Sequence, residues 1–271
     1  MTPLTLYHDT YACTGPAGAD APELVLLHGW GLHALVWDPV VPGLLERFQV
    51  TVIDLPGMGR SPMPAGDYDV DYVLRLLLAV APARAVWVGW SLGGQLATAF
   101  AQRHPERVSA LVLVASNPRF TQAPDWPQAM PADTFARFRA LFEEDRDGCL
   151  IRFLSLQCQG SARVREDIRF LQEILHHQGL PAPTALRGGL ALLDTLDTRA
   201  ALAALTCPTL VVLGADDHLV PATVADALSA LRPALTLVTL AGSGHVPFLA
   251  QPDAFLQAMD AFVIRQGLAA P

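Results

Sequence analysis

One serine of this chain stands between glycines at the end of an apolar run. In VWVGWSLGGQLATAF, residues 86–100, the segment Gly89-Trp90-Ser91-Leu92-Gly93 fits the pattern G-x-S-x-G, with a strand-like run before it and a helix-like run after it. A chain that turns so sharply from strand to helix lifts the intervening hydroxyl above the sheet. It also leaves that hydroxyl at the amino end of a helix, where backbone N–H groups point outward and can face a developing negative charge. The flanking glycines relieve crowding at the bend. Ser91 is therefore the candidate nucleophile.

A serine hydroxyl attacks poorly until a base takes its proton. Eight histidines are available. His104, in RHPERV, falls at a helix end, His28 directly follows a strand, and His176 and His177 fall in a polar helical stretch. His245, in GSGHVPF, follows the last strand on a glycine-loosened loop, which makes it the favoured base. His218 is second, but it directly follows the acid candidates and would have to replace the group expected there. A carboxylate must hold the imidazole in one tautomer and stabilise its charged form. LGADDHLVP offers Asp216 and Asp217. Asp217, three residues past Gly214, is favoured because the loop can turn back over the sheet there; Asp216 should point the other way. The backbone N–H of Leu92 is one candidate oxyanion donor, and Trp30, in HGWG, is placed to give a second. The Trp30 indole can also wall an acyl pocket or pack as a plain aromatic.

These residues need a scaffold that brings them together. Short apolar runs recur: ELVLLHGW, QVTVIDLPG, AVWVGWS, ALVLVAS, PTLVVLGADD and LTLVTLAGSGH. With helical segments between them, they predict a mostly parallel central sheet with helices on both faces, an α/β fold. Each run ends in Gly, Asp, His or Ser, and the ligand crevice of such sheets lies beyond the carboxyl ends of the strands. The alternation breaks between Asn117 and about Thr195, where proline-rich NPRFTQAPDWPQAMP leads into helical, polar sequence. We therefore expect a core of residues 1–116 and 196–271 and a helical lid inserted at 117–195. Within the lid, Val164, Ile168, Leu171 and Leu175 form the stripe of an amphipathic helix.

The composition excludes several alternatives. A chain of 271 residues with a net charge of −8 and no strongly basic tract does not suit nucleic acid. All 18 basic residues are arginine, which removes Schiff-base and P-loop lysine chemistry. Cys13, Cys149, Cys158 and Cys207 lack the spacing of a metal or redox site, so buried free thiols are expected. MTPLTLYHDT has neither a charged nor an apolar signal region, and no apolar run approaches the ~20 residues of a membrane span. A cytoplasmic protein that needs no metal or cofactor is the expectation.

The motifs LLHGWG, DLPGMGRS, GWSLGG, HPERV, LGADDHLVP and GSGHVPF together resemble the α/β-hydrolase superfamily along nearly the whole chain. ASNPRF followed by DWP, RFLSLQ and GGLALLDTLDTR is similar to the pimeloyl-acyl-carrier-protein methyl ester esterases of biotin synthesis. That resemblance implies a monomeric serine esterase that cleaves the methyl ester at the far end of a pimeloyl chain carried by an acidic acyl carrier protein. It implies substrate contacts at Trp30, Ser91, Leu92, Phe153, Leu154, Ser155, Leu156, Gln157 and His245. It also implies carrier docking by Arg152, Arg165 and Arg169. A further arginine expected before Arg152 is missing, since Gly148 and Cys149 occupy that turn. Residues 137–169 hold seven arginines against six acids, a net +1 in an otherwise acidic chain, and Arg165 and Arg169 are four apart on one helix face. The same catalytic set could serve a general short-chain carboxylesterase, a lactonase or a carbon–carbon hydrolase. Proteins of this fold can also act as ligand receptors.

Overall fold

The computed structural model describes residues 5–63 and 66–268. Residues 1–4, 64–65 and 269–271, which the sequence assigns to the core, lie outside the described residues, as does the start of the amino-terminal stretch read for a signal. Six strands arise from the apolar runs: β2 (Glu23–Leu27), β3 (Gln49–Ile53), β4 (Ala85–Trp90), β5 (Val108–Val114), β6 (Thr209–Gly214) and β7 (Thr236–Leu240). They pair in parallel in the order β3-β2-β4-β5-β6-β7. A seventh strand, β1 (His8–Tyr11), adds antiparallel to the outer edge of β3. It is mostly exposed and polar, so it carries no apolar run to mark it.

Strand β4 is buried along all six residues, as a central strand covered on both faces must be. Helices α1 (Val41–Leu44), α2 (Val70–Val80) and α3 (Leu92–Arg103) follow β2, β3 and β4. Between β5 and β6 the chain leaves the sheet for α4 (Ala132–Glu144), α5 (Arg146–Gln157), α6 (Val164–Gln178) and α7 (Pro183–Thr195), then returns through α8 (Arg199–Ala204). The two ends of this excursion are stitched together. Arg119 and Asp197 form an antiparallel bridge, and the Thr198 N–H donates to the Pro118 carbonyl at 2.8 Å. Helix α6 buries Leu171, Ile174 and Leu175, together with Asp167, which accepts from the Ser161 hydroxyl, and turns most of its charged residues outward. Helices α9 (Val224–Leu231), α10 (Pro247–Ala250) and α11 (Pro252–Arg265) complete the layers.

Stacked pairs fill the space between sheet and helices, Trp87 on Phe100 at 4.0 Å and Trp37 on Phe248 at 4.2 Å between ring centroids. Among the described residues no helix is long and apolar enough to cross a membrane. Cys149 and Cys158 are buried free thiols as expected, whereas Cys13 and Cys207 are free but only partly buried, since both lie in connecting segments at the surface rather than within a core element.

Candidate active site

The turn from β4 into α3 is held in a conformation that few side chains adopt. Ser91 has φ +55°, a positive value shared among non-glycine residues only with Ala115 in the described chain. Its neighbours must be small. A Cβ at Gly89 would lie 2.4 Å from the Gly93 carbonyl oxygen, and one at Gly93 would lie 2.6 Å from the His28 carbonyl oxygen. The Ser91 N–H donates to the Val114 carbonyl at 2.9 Å, and the Ser91 carbonyl accepts from the Ser116 hydroxyl at 2.8 Å. The end of β5 thus braces the bend from both sides.

Loops from the ends of β6 and β7 bring two further side chains to Ser91. His245 Nε2 lies 2.9 Å from Ser91 Oγ, and His245 Nδ1 lies 2.8 Å from Asp217 Oδ2. Asp217 Oδ1 accepts backbone N–H bonds from Leu219 at 2.7 Å and Val220 at 3.0 Å. With that oxygen engaged, Oδ2 accepts a hydrogen bond from Nδ1–H of the neutral imidazole, which leaves Nε2 bare to accept the serine proton. All three side chains are buried. Asp216 and His218 are exposed and belong to neither contact. The histidine backbone is fixed as well: its carbonyl accepts from Trp90 Nε1 at 2.7 Å, and its N–H donates to the Gln157 carbonyl at 3.0 Å.

The loop after β2 lies against the serine. A Cβ at Gly29 would come within 3.2 Å of Ser91 Cβ. Among the described residues, neither the Trp30 nor the Leu92 N–H donates to a protein group, so both remain available to an oxyanion. Beside them is a small, almost wholly apolar cavity of about 70 Å³, whose wall includes Trp30, Phe135, Phe138, Phe153, Leu156 and Leu190. A broader groove of about 540 Å³ between α4 and α7, lined by Arg139, Glu143 and Arg187, contains none of these reactive atoms.

The run 153–157 divides. Phe153 and Leu156 face the cavity, Leu154 is packed in the core, and the Ser155 hydroxyl donates back to the Ile151 carbonyl along its helix. Gln157 is buried with a side-chain amide that finds no protein partner among the described residues. Arg152 and Arg169 are well exposed, each beside an acid: Asp145 at 3.3 Å and Glu173 at 3.6 Å. Arg165 is exposed on the α6 face that carries Arg169. The turn that lacks an arginine has a physical occupant. Asp145 caps α5 by accepting the Gly148 N–H at 3.0 Å, and a Cβ at Gly148 would fall 2.1 Å from the other Asp145 oxygen.

His28 is structural. Its Nε2 accepts the Leu55 N–H at 2.8 Å, tying the ends of β2 and β3, and complete burial pushes its pKa from 6.5 to about 4. His33 is also held below its ordinary value, chiefly by burial. The bracing roles of Ser116, Trp90 and the Gln157 carbonyl escape a sequence reading, because each is a contact across the fold with no spacing signal.

Comparison with known proteins agrees with this architecture. A family model described as alpha/beta hydrolase fold matches residues 22–252. Pimeloyl-acyl-carrier-protein methyl ester esterase from Edwardsiella ictaluri is 42% identical over 90% of this chain and 94% of its own. The enzyme of the same name from Xanthomonas oryzae pv. oryzae is 43% identical over 89% and 95%. Among solved structures, an esterase from Exiguobacterium antarcticum superposes with a TM-score of 0.82, at 21% identity over 95% of both chains, a likeness of fold alone. The chain belongs to the α/β-hydrolase family, alongside these curated esterases.

Proposed function

We propose that this protein is a serine carboxylesterase that hydrolyses the methyl ester of a pimeloyl chain borne by acyl carrier protein, as a cytoplasmic step of biotin synthesis. The observation that carries the reading is the continuous contact from Asp217 through His245 to Ser91, with an apolar cavity walled by Trp30 near it. The substrate itself is supported by the names of relatives about 42% identical over nearly the whole chain.

His245 Nε2 takes the Ser91 proton as Oγ bonds to the ester carbonyl carbon. The carbonyl oxygen becomes an oxyanion held by the N–H groups of Trp30 and Leu92, each worth about 3 kcal/mol in comparable sites. Collapse breaks the bond to methoxide, which takes the proton from His245 and leaves as methanol. Water, deprotonated by the same imidazole, then attacks the acyl carbon; collapse breaks the bond to Ser91 Oγ, which takes the proton back from His245 as the carboxylate is released. The carboxylate product is poorly solvated among phenylalanines and leucines, which favours its departure. No step calls on a metal or cofactor. In this reading residues 117–195 form a lid over a core of 1–116 and 196–271, and the carrier docks outside the lid on Arg152, Arg165 and Arg169.

A second reading, a short-chain carboxylesterase or lactonase without a carrier, is favoured by the closed turn at Gly148 and by the acids beside Arg152 and Arg169. Turnover of carrier-bound pimeloyl methyl ester against free dimethyl pimelate separates the two. Reversing all three arginines to glutamate is expected to lower kcat/KM about tenfold or more for the carrier-bound ester while leaving the free diester unchanged. Equal losses on both substrates would defeat the docking assignment.

A further inference from the structure

The Trp30 N–H, the second oxyanion donor in the reading above, lies on a stretch with little rigidity of its own. Trp30 stands between Gly29 and Gly31, and Gly31 has φ +80°. Two glycines leave the intervening peptide free to rotate, so contacts must fix its direction. On the core side, Gly29 is pressed against the Trp90 ring and Ser91. On the other side the Trp30 indole rests on the inserted helices. The Trp30 indole N–H donates to the Leu186 carbonyl of α7 at 2.8 Å. Its ring meets Phe138 and Phe142 of α4 and Phe153 of α5 edge-on, at centroid distances of 5.8, 5.8 and 5.0 Å. It lies flush on the backbone of α7 at Gly189, where a Cβ would fall 2.6 Å from Trp30 Cδ1. A Cβ at Gly31 would meet Leu150 of α5 at 2.7 Å, and His33 Nε2 donates to the Ile174 carbonyl of α6 at 2.8 Å. Four helices thus converge on residues 30–33.

We propose that α7, through the Leu186 carbonyl and the bare backbone at Gly189, positions the Trp30 N–H, so that the oxyanion site is assembled only when the inserted helices are seated on this loop. Gly189 and Leu186 are positioning residues that act through Trp30. The inference rests on the assignment of Trp30 as a donor to the Ser91 oxyanion. A glycine within a helix weakens it relative to alanine, so Gly189 carries a local cost that the flush ring contact explains.

The test uses the full chain and a free methyl ester, so that no carrier is involved, with active sites counted by fluorophosphonate labelling to completion. Gly189→Ala favours the helix yet displaces the indole. It should lower kcat per labelled site about tenfold or more, with KM changed less than about twofold, because a donor that acts on the transition state is lost while ground-state binding is kept. The inhibition constant for a trifluoromethyl ketone, whose Ser91 adduct carries an oxyanion, should rise by the same factor. In a Trp30→Ala background the glycine substitution should have no further effect. Trp30→Phe keeps a ring and loses the bond to Leu186, and should lower kcat per site in the same direction by a smaller factor. The inference is overturned if Gly189→Ala and Trp30→Phe both keep full kcat per site. It is also overturned if the Gly189→Ala loss falls on KM, or persists undiminished without the indole. Failure of the unmodified protein to label at all would remove Ser91 as nucleophile and the inference with it.

Discussion

Asp217 and Asp216 are adjacent in sequence and separated by environment. One is buried, with an oxygen capped by two N–H groups and the other against His245; the other is exposed. Asp217→Asn should therefore lower kcat by about a thousandfold or more with little change in fold, because an amide donor facing Nδ1 favours the wrong tautomer. Esterase assays beside circular dichroism check both halves. His28 makes a separate prediction about pH. Its folded pKa of about 4 lies below the ordinary 6.5, so between these values the unfolded chain binds the proton more readily. The stability tied to the neutral ring is full above pH 6.5 and is lost as the pH falls toward 4. His28 should contribute about 2 kcal/mol between pH 8 and pH 5, and His33, also held low by burial, adds in the same direction. Urea unfolding at the two values should show this fall, and His28→Gln should flatten it by nearly one proton. The serine, histidine and acid are legible in sequence because each sits in a short stretch bounded by a strand end and a glycine. The contacts that hold them are not, since Trp90 Nε1 reaches a carbonyl 155 residues away.

The strand-to-helix turn is the element on which the site depends. Its glycines leave no room for a methyl group: a Cβ at Gly89 meets the Gly93 carbonyl oxygen at 2.4 Å and Gly94 Cα at 2.5 Å, both backbone atoms that cannot swing aside. Gly89→Ala should push α3 from β4, destabilise the protein by about 3 kcal/mol and depress activity per folded molecule. Calorimetry should then find the midpoint lower by several degrees. An alanine variant with wild-type midpoint and rate would mean that the turn is softer than its contacts imply. The six parallel strands are legible because continuous apolar runs mark buried strands, whereas β1 gives only HDTY, exposed on an edge. Helix α6 is legible from its stripe. How α4–α7 meet at Trp30 is not, because it depends on Gly189 and on aromatic pairs far apart in sequence.

At the scale of the whole molecule, this acidic chain has one nearly balanced, arginine-rich segment, residues 137–169, within the stretch proposed as the lid. A strongly acidic partner would be repelled by most of the surface and admitted there, which suits a substrate delivered on a carrier. Family membership is legible from motifs spread along the chain, while docking strength is not, because the turn at Gly148 is closed by a cap that only coordinates reveal. The proposed lid, the proposed carrier face and the cavity have meaning only if Ser91 performs the chemistry. The decisive measurement is methanol release from carrier-bound pimeloyl methyl ester by the wild-type chain and by Ser91→Ala, at equal concentrations of folded protein. Rapid release by the first and no more than a trace from the second is expected. Release from the alanine variant at the wild-type rate would mean that another group attacks the ester.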